Sequence, residues 1–287
     1  MLTPTKTLLR KAQSEGYALG AFNVYNLEGI LAVVHAAEAE HSPALIQIHP
    51  QAFDYGGIPL LMAARSAAEE ASAPMSVHLD HSTSRDLIRS ALNHGVSSIM
   101  ADGSDLAYEK NISFTKEMAN LAHANGASVE AELGKISGTE DGLTTDVFEA
   151  KMTIPEQAIE FVRETNVDAL AVCIGNVHGQ YSSEPHLDFE RLEKIKNYLN
   201  IPLVLHGTSG LPASMIHRSI ELGVCKFNIN TEMRMAYLAS LRKLHKQLGK
   251  RELLYVMNNA VTAMQEVVSS KLHLFGSTKT TRGKMDN

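Results

Sequence analysis

Three histidines, His81, His178 and His206, each follow a short apolar run, and three neutral imidazoles with an open fourth position are a common catalytic zinc arrangement. Asp102 and Glu132 end two further runs and can supply oxygen ligands nearby. Asp80 directly precedes His81, so it stands beside a metal ion without needing to bind it. A carboxylate there can take a proton from a substrate hydroxyl made more acidic by the metal, or it can serve only to orient a histidine ligand. Taken singly, each histidine reads as a hydrogen-bonded structural residue. Together, with two acids in reach, they read as a metal centre. His78 lies deeper in its run and reads as structural, and the histidines that fall on helices or loops carry no assignment.

A second constellation closes the last two runs. His206-Gly207-Thr208-Ser209-Gly210 and Asn228-Ile229-Asn230-Thr231 combine glycines, hydroxyls and amides. Backbone N–H groups at such an address, next to a helix start, suit a phosphate. Ser209 and Thr231 add hydroxyl donors.

These residues need a frame that brings them to one mouth. Short β-branched or apolar runs occur at Ala18–Val24, Ala44–His49, Met75–Leu79, Ser97–Ala101, Ala127–Leu133, Ala169–Ile174, Pro202–Leu205 and Cys225–Ile229. Helical periodicity separates them, at Leu27–His41, Leu60–Ser72, Arg85–His94, Tyr108–Ala124, Pro155–Glu164, Phe189–Leu199 and Ala213–Leu222. Eight such units without a change of composition predict a single α/β domain over residues 1–287, a (β/α)8 TIM barrel. An open, doubly wound parallel sheet is the alternative. Two further helical stretches, Glu232–Leu248 and Arg251–Leu274, make the last barrel helix and a C-terminal helical extension. Gly134–Thr153 reads as a long loop after the fifth strand, and loops of that length on a barrel are usually lids or binding segments. Each predicted strand finishes in a polar or ligand-capable residue, starting with Asn23 on the first, which is assigned to the substrate.

Composition narrows the function classes. The chain has 287 residues, 44% hydrophobic and 20% charged, with a formal net charge of −6 and no basic stripe for nucleic acid. No apolar run is long enough to cross a bilayer, and the N-terminus does not lead into a signal core, so a cytoplasmic protein is expected. Cys173 and Cys225 sit in strand-like runs and read as core thiols.

Several linked motifs occur in order: Asp80-His81, Glu130-Ala131-Glu132-Leu133-Gly134, Gly138-Thr139-Glu140-Asp141-Gly142, and Gly175-Asn176-Val177-His178-Gly179. They continue through the strand-seven segment above to Lys226-Phe227-Asn228-Ile229-Asn230-Thr231-Glu232 and Leu274-Phe275-Gly276-Ser277. From about Ala18 to Ser277 the chain closely resembles class II aldolases of the fructose- or tagatose-bisphosphate type. The resemblance implies cleavage of a phosphorylated ketose to dihydroxyacetone phosphate and an aldehyde. It implies zinc on His81, His178 and His206, with Asp102 and Glu132 near an alternative metal position. Asp80 would be the acid/base at the C4 hydroxyl, and Glu140 would exchange the C3 proton. Asn228 would bind the enediolate, while Gly179, Gly207, Ser209, Asn230 and Thr231 would surround the phosphate. A monovalent cation, Na⁺ or K⁺, beside the phosphate and a homodimer or homotetramer are further implications.

The chain departs from that pattern at a few places. His49 stands where the family commonly has a small hydroxyl residue, Thr208 where Gly or Ala is usual, and Lys279 where a glycine is usual. Asn230 stands where many fructose-type members have Asp and tagatose-type members have Ala. Most of these lie near the sugar, so substrate identity stays open. Lys226, the one lysine inside a predicted strand, is expected to pair with a carboxylate such as Glu130 rather than to form a Schiff base. Two other readings compete: another TIM-barrel metalloenzyme, and a non-catalytic barrel partner of an aldolase.

Overall fold

The computed structural model describes residues 1–140, 143–145, 151–179, 181, 184–245 and 252–279. The side chains of residues 139, 140, 143–145 and 279 lie outside that description. The chain opens with α1 (Thr5–Glu15), then β1 (Leu19–Asn23), α2 (Leu27–Ala39), β2 (Ala44–Ile48), α3 (Pro50–Glu70) and β3 (Met75–Ser82). It continues with α4 (Arg85–Asn93), β4 (Ser98–Ala101), α5 (Tyr108–Ala124), β5 (Ser128–Leu133), β6 (Ser137–Glu140) and β7 (Leu143–Thr145). There follow α6 (Pro155–Thr165), β8 (Ala169–Val172), β9 (Val177–His178), α7 (Phe189–Tyr198), β10 (Leu203–Leu205) and α8 (Ala213–Glu221). Last come β11 (Val224–Ile229), α9 (Thr231–Leu244) and α10 (Leu253–Leu274).

Eight parallel strands close into a barrel in the order β1-β11-β10-β8-β5-β4-β3-β2, which settles the choice against an open sheet. Barrel strands are covered on one side by helices and on the other by the barrel's own filling, so they read as continuous apolar runs without alternation. The burial of all six residues of both β5 and β11 reflects this. Helix starts are set locally, Asn26 Oδ1 accepting from Gly29 N in α2 and Ser84 Oγ from Leu87 N in α4. Cys173 and Cys225 are free and buried, and burial pushes their thiols up, to about 11 and about 12.

Four features differ from the sequence expectation. Helix α1 precedes the first strand and plugs the N-terminal end of the barrel, where Leu8, Leu9 and Ala12 pack on Leu19, Leu45, Ala171 and Val204. Its start carries no side-chain cap, so it leaves little signal. Helix α3 begins at Pro50 rather than Leu60, because two helical pieces join at Gly57, where φ is 57°. The segment read as a bare loop, Gly134–Thr153, contains β6 and β7 as an antiparallel hairpin, and Lys135 bridges Lys151. Finally, His178 does not end a barrel strand. It lies on β9, beyond the end of β8, and β9 pairs in parallel with β6 in a separate three-stranded sheet.

Candidate active site

Strand β3 delivers two neighbouring residues to one mouth by an irregularity. Successive residues of a regular strand face opposite ways. Between its pairings Leu79↔Ile99 and Ser82↔Ala101, β3 advances one residue more than β4, so the strand bulges at Asp80-His81. His81 takes φ of 40°, a left-handed conformation uncommon outside glycine. The bulge lets Asp80 lie fully buried at the floor of the mouth while His81 reaches over it.

Asp80 is gripped by amides. Asn23 Nδ2 donates to its Oδ2 at 2.9 Å and Gln47 Nε2 to the same oxygen at 3.4 Å, while Asn228 Nδ2 donates to Oδ1 at 3.2 Å. Burial alone would raise this carboxyl, but its attraction to the His81, His206 and Lys226 side chains outweighs burial and holds Asp80 well below the usual carboxylate range. It is therefore a fixed carboxylate at neutral pH.

The three histidines converge. Single ligand atoms of His81, His178 and His206 lie within 4.8 Å of one another, and so do those of His81, Asp102 and Glu132. Their ring centroids are 4.6 Å apart for His81 and His206 and 5.3 Å for His81 and His178. His81 Nδ1 donates to Asp102 Oδ2 at 2.7 Å, and His206 Nε2 donates to Glu130 Oε1 at 2.9 Å. Carboxylates only accept, so both protons are placed away from the mouth. The remaining nitrogens, His81 Nε2 and His206 Nδ1, then face each other as lone pairs at 2.8 Å. Two facing nitrogens at this distance need a proton or a metal ion to satisfy them, and imidazole nitrogens with carboxylates behind them suit a divalent transition metal. The donor set fits zinc. Asp102 is held below the usual range against its burial by the His81 hydrogen bond, and Glu130 likewise by Lys226 and His206.

His178 is brought in by the hairpin. Gly138 pairs with His178, and a Cβ on Gly138 would fall 2.1 Å from the His178 carbonyl oxygen. From the other side a Cβ on Gly207 would fall 2.3 Å from the Val177 carbonyl oxygen, so β9 is sandwiched between two glycines. Glu140 ends β6, two residues beyond Gly138; its side chain lies outside the described residues.

The remaining expected residues follow β9, β10 and β11: Gly179 after β9, Ser209 after β10, and Asn230 and Thr231 after β11. Ser209 and Asn230 are buried, and Thr231 opens α9. Asn230 Oδ1 accepts from the Tyr25 hydroxyl at 2.6 Å. His78 is set below the mouth as expected, its Nδ1 2.7 Å from Ser98 Oγ; burial and then Lys226 push it down to about 3, so it is neutral. His49, which stands where a small residue was expected, caps α3 by accepting from Gln51 N, with its ring 6.1 Å from that of His81.

Sequence reasoning missed several supporting residues. Gln47 was legible as the one polar residue in the strand Ala44–Ile48. Asn176, one of the polar residues after the sixth predicted strand, donates from Nδ2 to the His206 carbonyl at 3.0 Å, a contact that nothing in its motif signals. Tyr181 accepts from Val177 N at 3.1 Å and donates to the Gly207 carbonyl at 2.9 Å, tying the His178 and His206 loops together. Nothing in the local sequence signals that role.

Comparison with known proteins follows the same lines. The family model described as fructose-bisphosphate aldolase class-II matches residues 3–280. A Coccidioides immitis protein provisionally described as a fructose-1,6-bisphosphate aldolase is 36% identical, with a TM-score of 0.91 over 96% of this chain and 97% of that one. The YdjI aldolase of Escherichia coli K12 is 35% identical, with a TM-score of 0.88 over 98% of this chain and 100% of that one. A Campylobacter jejuni fructose-bisphosphate aldolase, 23% identical, shares the fold at a TM-score of 0.79 over 96% of each chain.

Proposed function

The chain belongs to the class II fructose-bisphosphate aldolase family, and from that premise we propose that it is a zinc-dependent aldolase acting reversibly on a phosphorylated ketose. The products are dihydroxyacetone phosphate and an aldehyde, and the substrate is of the fructose- or tagatose-bisphosphate kind. One observation carries this reading: three imidazoles converge beside a buried carboxylate, Asp80, that amides hold ready.

His81, His178 and His206 would hold the zinc ion, which when bound acts as a Lewis acid and stabilises the negative charge left on the three-carbon fragment. Asp80 takes the proton of the C4 hydroxyl as the C3–C4 bond breaks. Because Asn23, Gln47 and Asn228 occupy both of its oxygens, its orientation is set before substrate enters. Asn228 Nδ2 also lies 3.5 Å from His206 Nδ1, which puts an amide donor at the border between base and metal site, where the enediolate forms. Glu140 returns the proton to C3. The pairing of β6 with β9, which carries its backbone close to His178, supports that role. Gly179, Gly207, Ser209, Asn230 and Thr231 surround the phosphate at the N-terminus of α9, with Na⁺ or K⁺ beside it. Lys226 is bound to Glu130 and fully buried, which argues against a Schiff base.

Among the described residues no helix is long and apolar enough to cross a membrane. Exposed Leu253, Leu254 and Tyr255 at the start of α10 support a homodimer or homotetramer, which light scattering tests.

The deciding experiment screens phosphorylated ketoses for release of dihydroxyacetone phosphate, before and after prolonged chelation and after Zn²⁺ or Co²⁺ is restored. The expected outcome is cleavage that chelation removes and metal restores. Full activity in metal-free protein, or trapping of a lysine by borohydride in the presence of substrate, would sink the assignment.

A further inference from the structure

The barrel interior holds a buried ion pair that the reaction above does not use. Lys226 on β11 is fully buried, with Nζ 2.8 Å from Oε2 and 3.1 Å from Oε1 of Glu130 on β5. The same Oε1 accepts from His206 Nε2 at 2.9 Å. On its other side, His206 Nδ1 lies 2.8 Å from His81 Nε2. A buried ion pair is often no more stabilising than apolar side chains of the same volume, so its place directly under the histidines asks for another reason.

We propose that Lys226 and Glu130 are positioning residues that fix His206 as its Nε2–H tautomer and so present its Nδ1 lone pair to the metal; this rests on the reading of His206 as a ligand. A carboxylate has no proton to give, so the ammonium and the imidazole must both donate to it. With Nε2 committed, Nδ1 of a neutral ring is left as a lone pair. Asp102 sets His81 in the opposite sense, accepting from Nδ1 at 2.7 Å and leaving Nε2. The two rings therefore meet through unlike nitrogens, and the choice is made by two acids standing behind them. Lys226 adds what Glu130 alone lacks. It engages both carboxylate oxygens in a site with 3% exposure, so the group cannot turn away from His206 toward another donor.

Glu130→Gln separates this from a role in stability. Glutamine keeps the volume but carries one acceptor and one donor. Because Lys226 contacts both oxygen positions, one N–H must meet the ammonium, and where it also meets His206 it favours the Nδ1–H tautomer. Two measurements apply: long-range ¹H–¹⁵N NMR of metal-free protein, which reads the nitrogen that carries the His206 proton, and Zn²⁺ affinity by chelator competition. Wild type is expected to be Nε2–H. Glu130→Gln should gain the Nδ1–H form and bind Zn²⁺ roughly 10–100-fold more weakly.

The double variant Glu130→Gln/Lys226→Met removes the ammonium, frees the amide oxygen to accept from His206, and should restore both readouts. A purely structural role predicts no such rescue. Should Glu130→Gln fail to fold, the apolar pair Glu130→Leu/Lys226→Met keeps the test open. It should fold, lose the exclusive Nε2–H form and weaken Zn²⁺ to a similar degree. Unchanged tautomer and affinity in the folded variants would overturn the proposal, as would a double variant no better than Glu130→Gln. Wild-type protein that binds neither Zn²⁺ nor Co²⁺ would overturn the metal reading instead, while the NMR measurement still decides what the pair does to His206.

Discussion

Asp80 and His81 are adjacent in sequence, and the bulge in β3 brings both to the mouth, where the proposed mechanism gives them different work. Replacing Asp80 by Ala removes the proposed proton acceptor but none of the three imidazoles. Asp80→Ala should lower kcat by roughly 10²–10⁴-fold while Zn²⁺ stays bound at wild-type stoichiometry. Loss of metal together with activity would reassign Asp80 to holding a ligand. Asn230 poses a different question, because in this mouth it accepts from the Tyr25 hydroxyl at 2.6 Å. Asp at this position would still accept from Tyr25, so Asn230→Asp should fold, but it adds a negative charge where the proposed phosphorylated substrate would bind and removes an amide donor. The expected outcome is a changed ratio of kcat/KM between fructose and tagatose bisphosphates, with 1-phosphates as controls. If the wild type already discriminates by several powers of ten and the variant keeps the ratio, this position does not set specificity.

At the level of elements, joints far from the mouth hold the barrel together. Asp168, just before β8, joins three elements at the opposite end of the barrel. Its Oδ2 accepts from His123 Nε2 of α5 and from Val129 N of β5, both at 2.9 Å, and its Oδ1 lies 2.8 Å from Lys6 Nζ of α1. Burial would raise this carboxyl, but the Lys6 and His123 hydrogen bonds outweigh it and lower it. A carboxyl depressed in the fold contributes stability that is fully present above its unfolded pKa and lost as pH falls through the folded one. Asp168→Asn should therefore be less stable at pH 7 by roughly 1–3 kcal/mol, with the gap closing below about pH 4. Denaturant titrations at both pH values check this, and a gap that stays constant down to pH 2.5 would remove the electrostatic explanation. The fragile element at the mouth is β9, which has only two residues and keeps His178 in place through β6, Tyr181 and the close approach of Gly138 and Gly207.

For the molecule as a whole, the histidines draw together segments from around the barrel: β3, the β9 insertion and the turn after β10. A ligand that binds this assembled set, but not the unfolded chain, adds RT ln(1 + [L]/Kd) to stability, about 2.7 kcal/mol at a hundred times Kd. Zn²⁺ should raise the thermal midpoint by several degrees, a chelator should reverse the rise, and His81→Ala should abolish it. An equal rise in wild type and His81→Ala would place the bound metal elsewhere.

The barrel was legible in the sequence, and so were the polar residues that stand at its rim. The strands are apolar runs with polar ends, and helical periodicity between them is strong enough that most expected bounds fall within one or two residues of the observed ones. The ligand-capable residues were legible because they stand at or just beyond the end of such a run, as His81, Asp102, Glu132 and His206 do. Their partners were less so. That Lys226 pairs with Glu130 could be expected from strand alternation, but that Glu130 also holds His206 depends on β5 and β10 being brought to face the same interior, with β8 between them. The pairing of the Gly134–Thr153 segment with His178, and the plug made by α1, were likewise decided by tertiary structure. Local periodicity reports which residues are covered; which covered polar group meets which is decided by closure of the sheet, and a short strand such as β9 exists only because a neighbour supplies its hydrogen bonds.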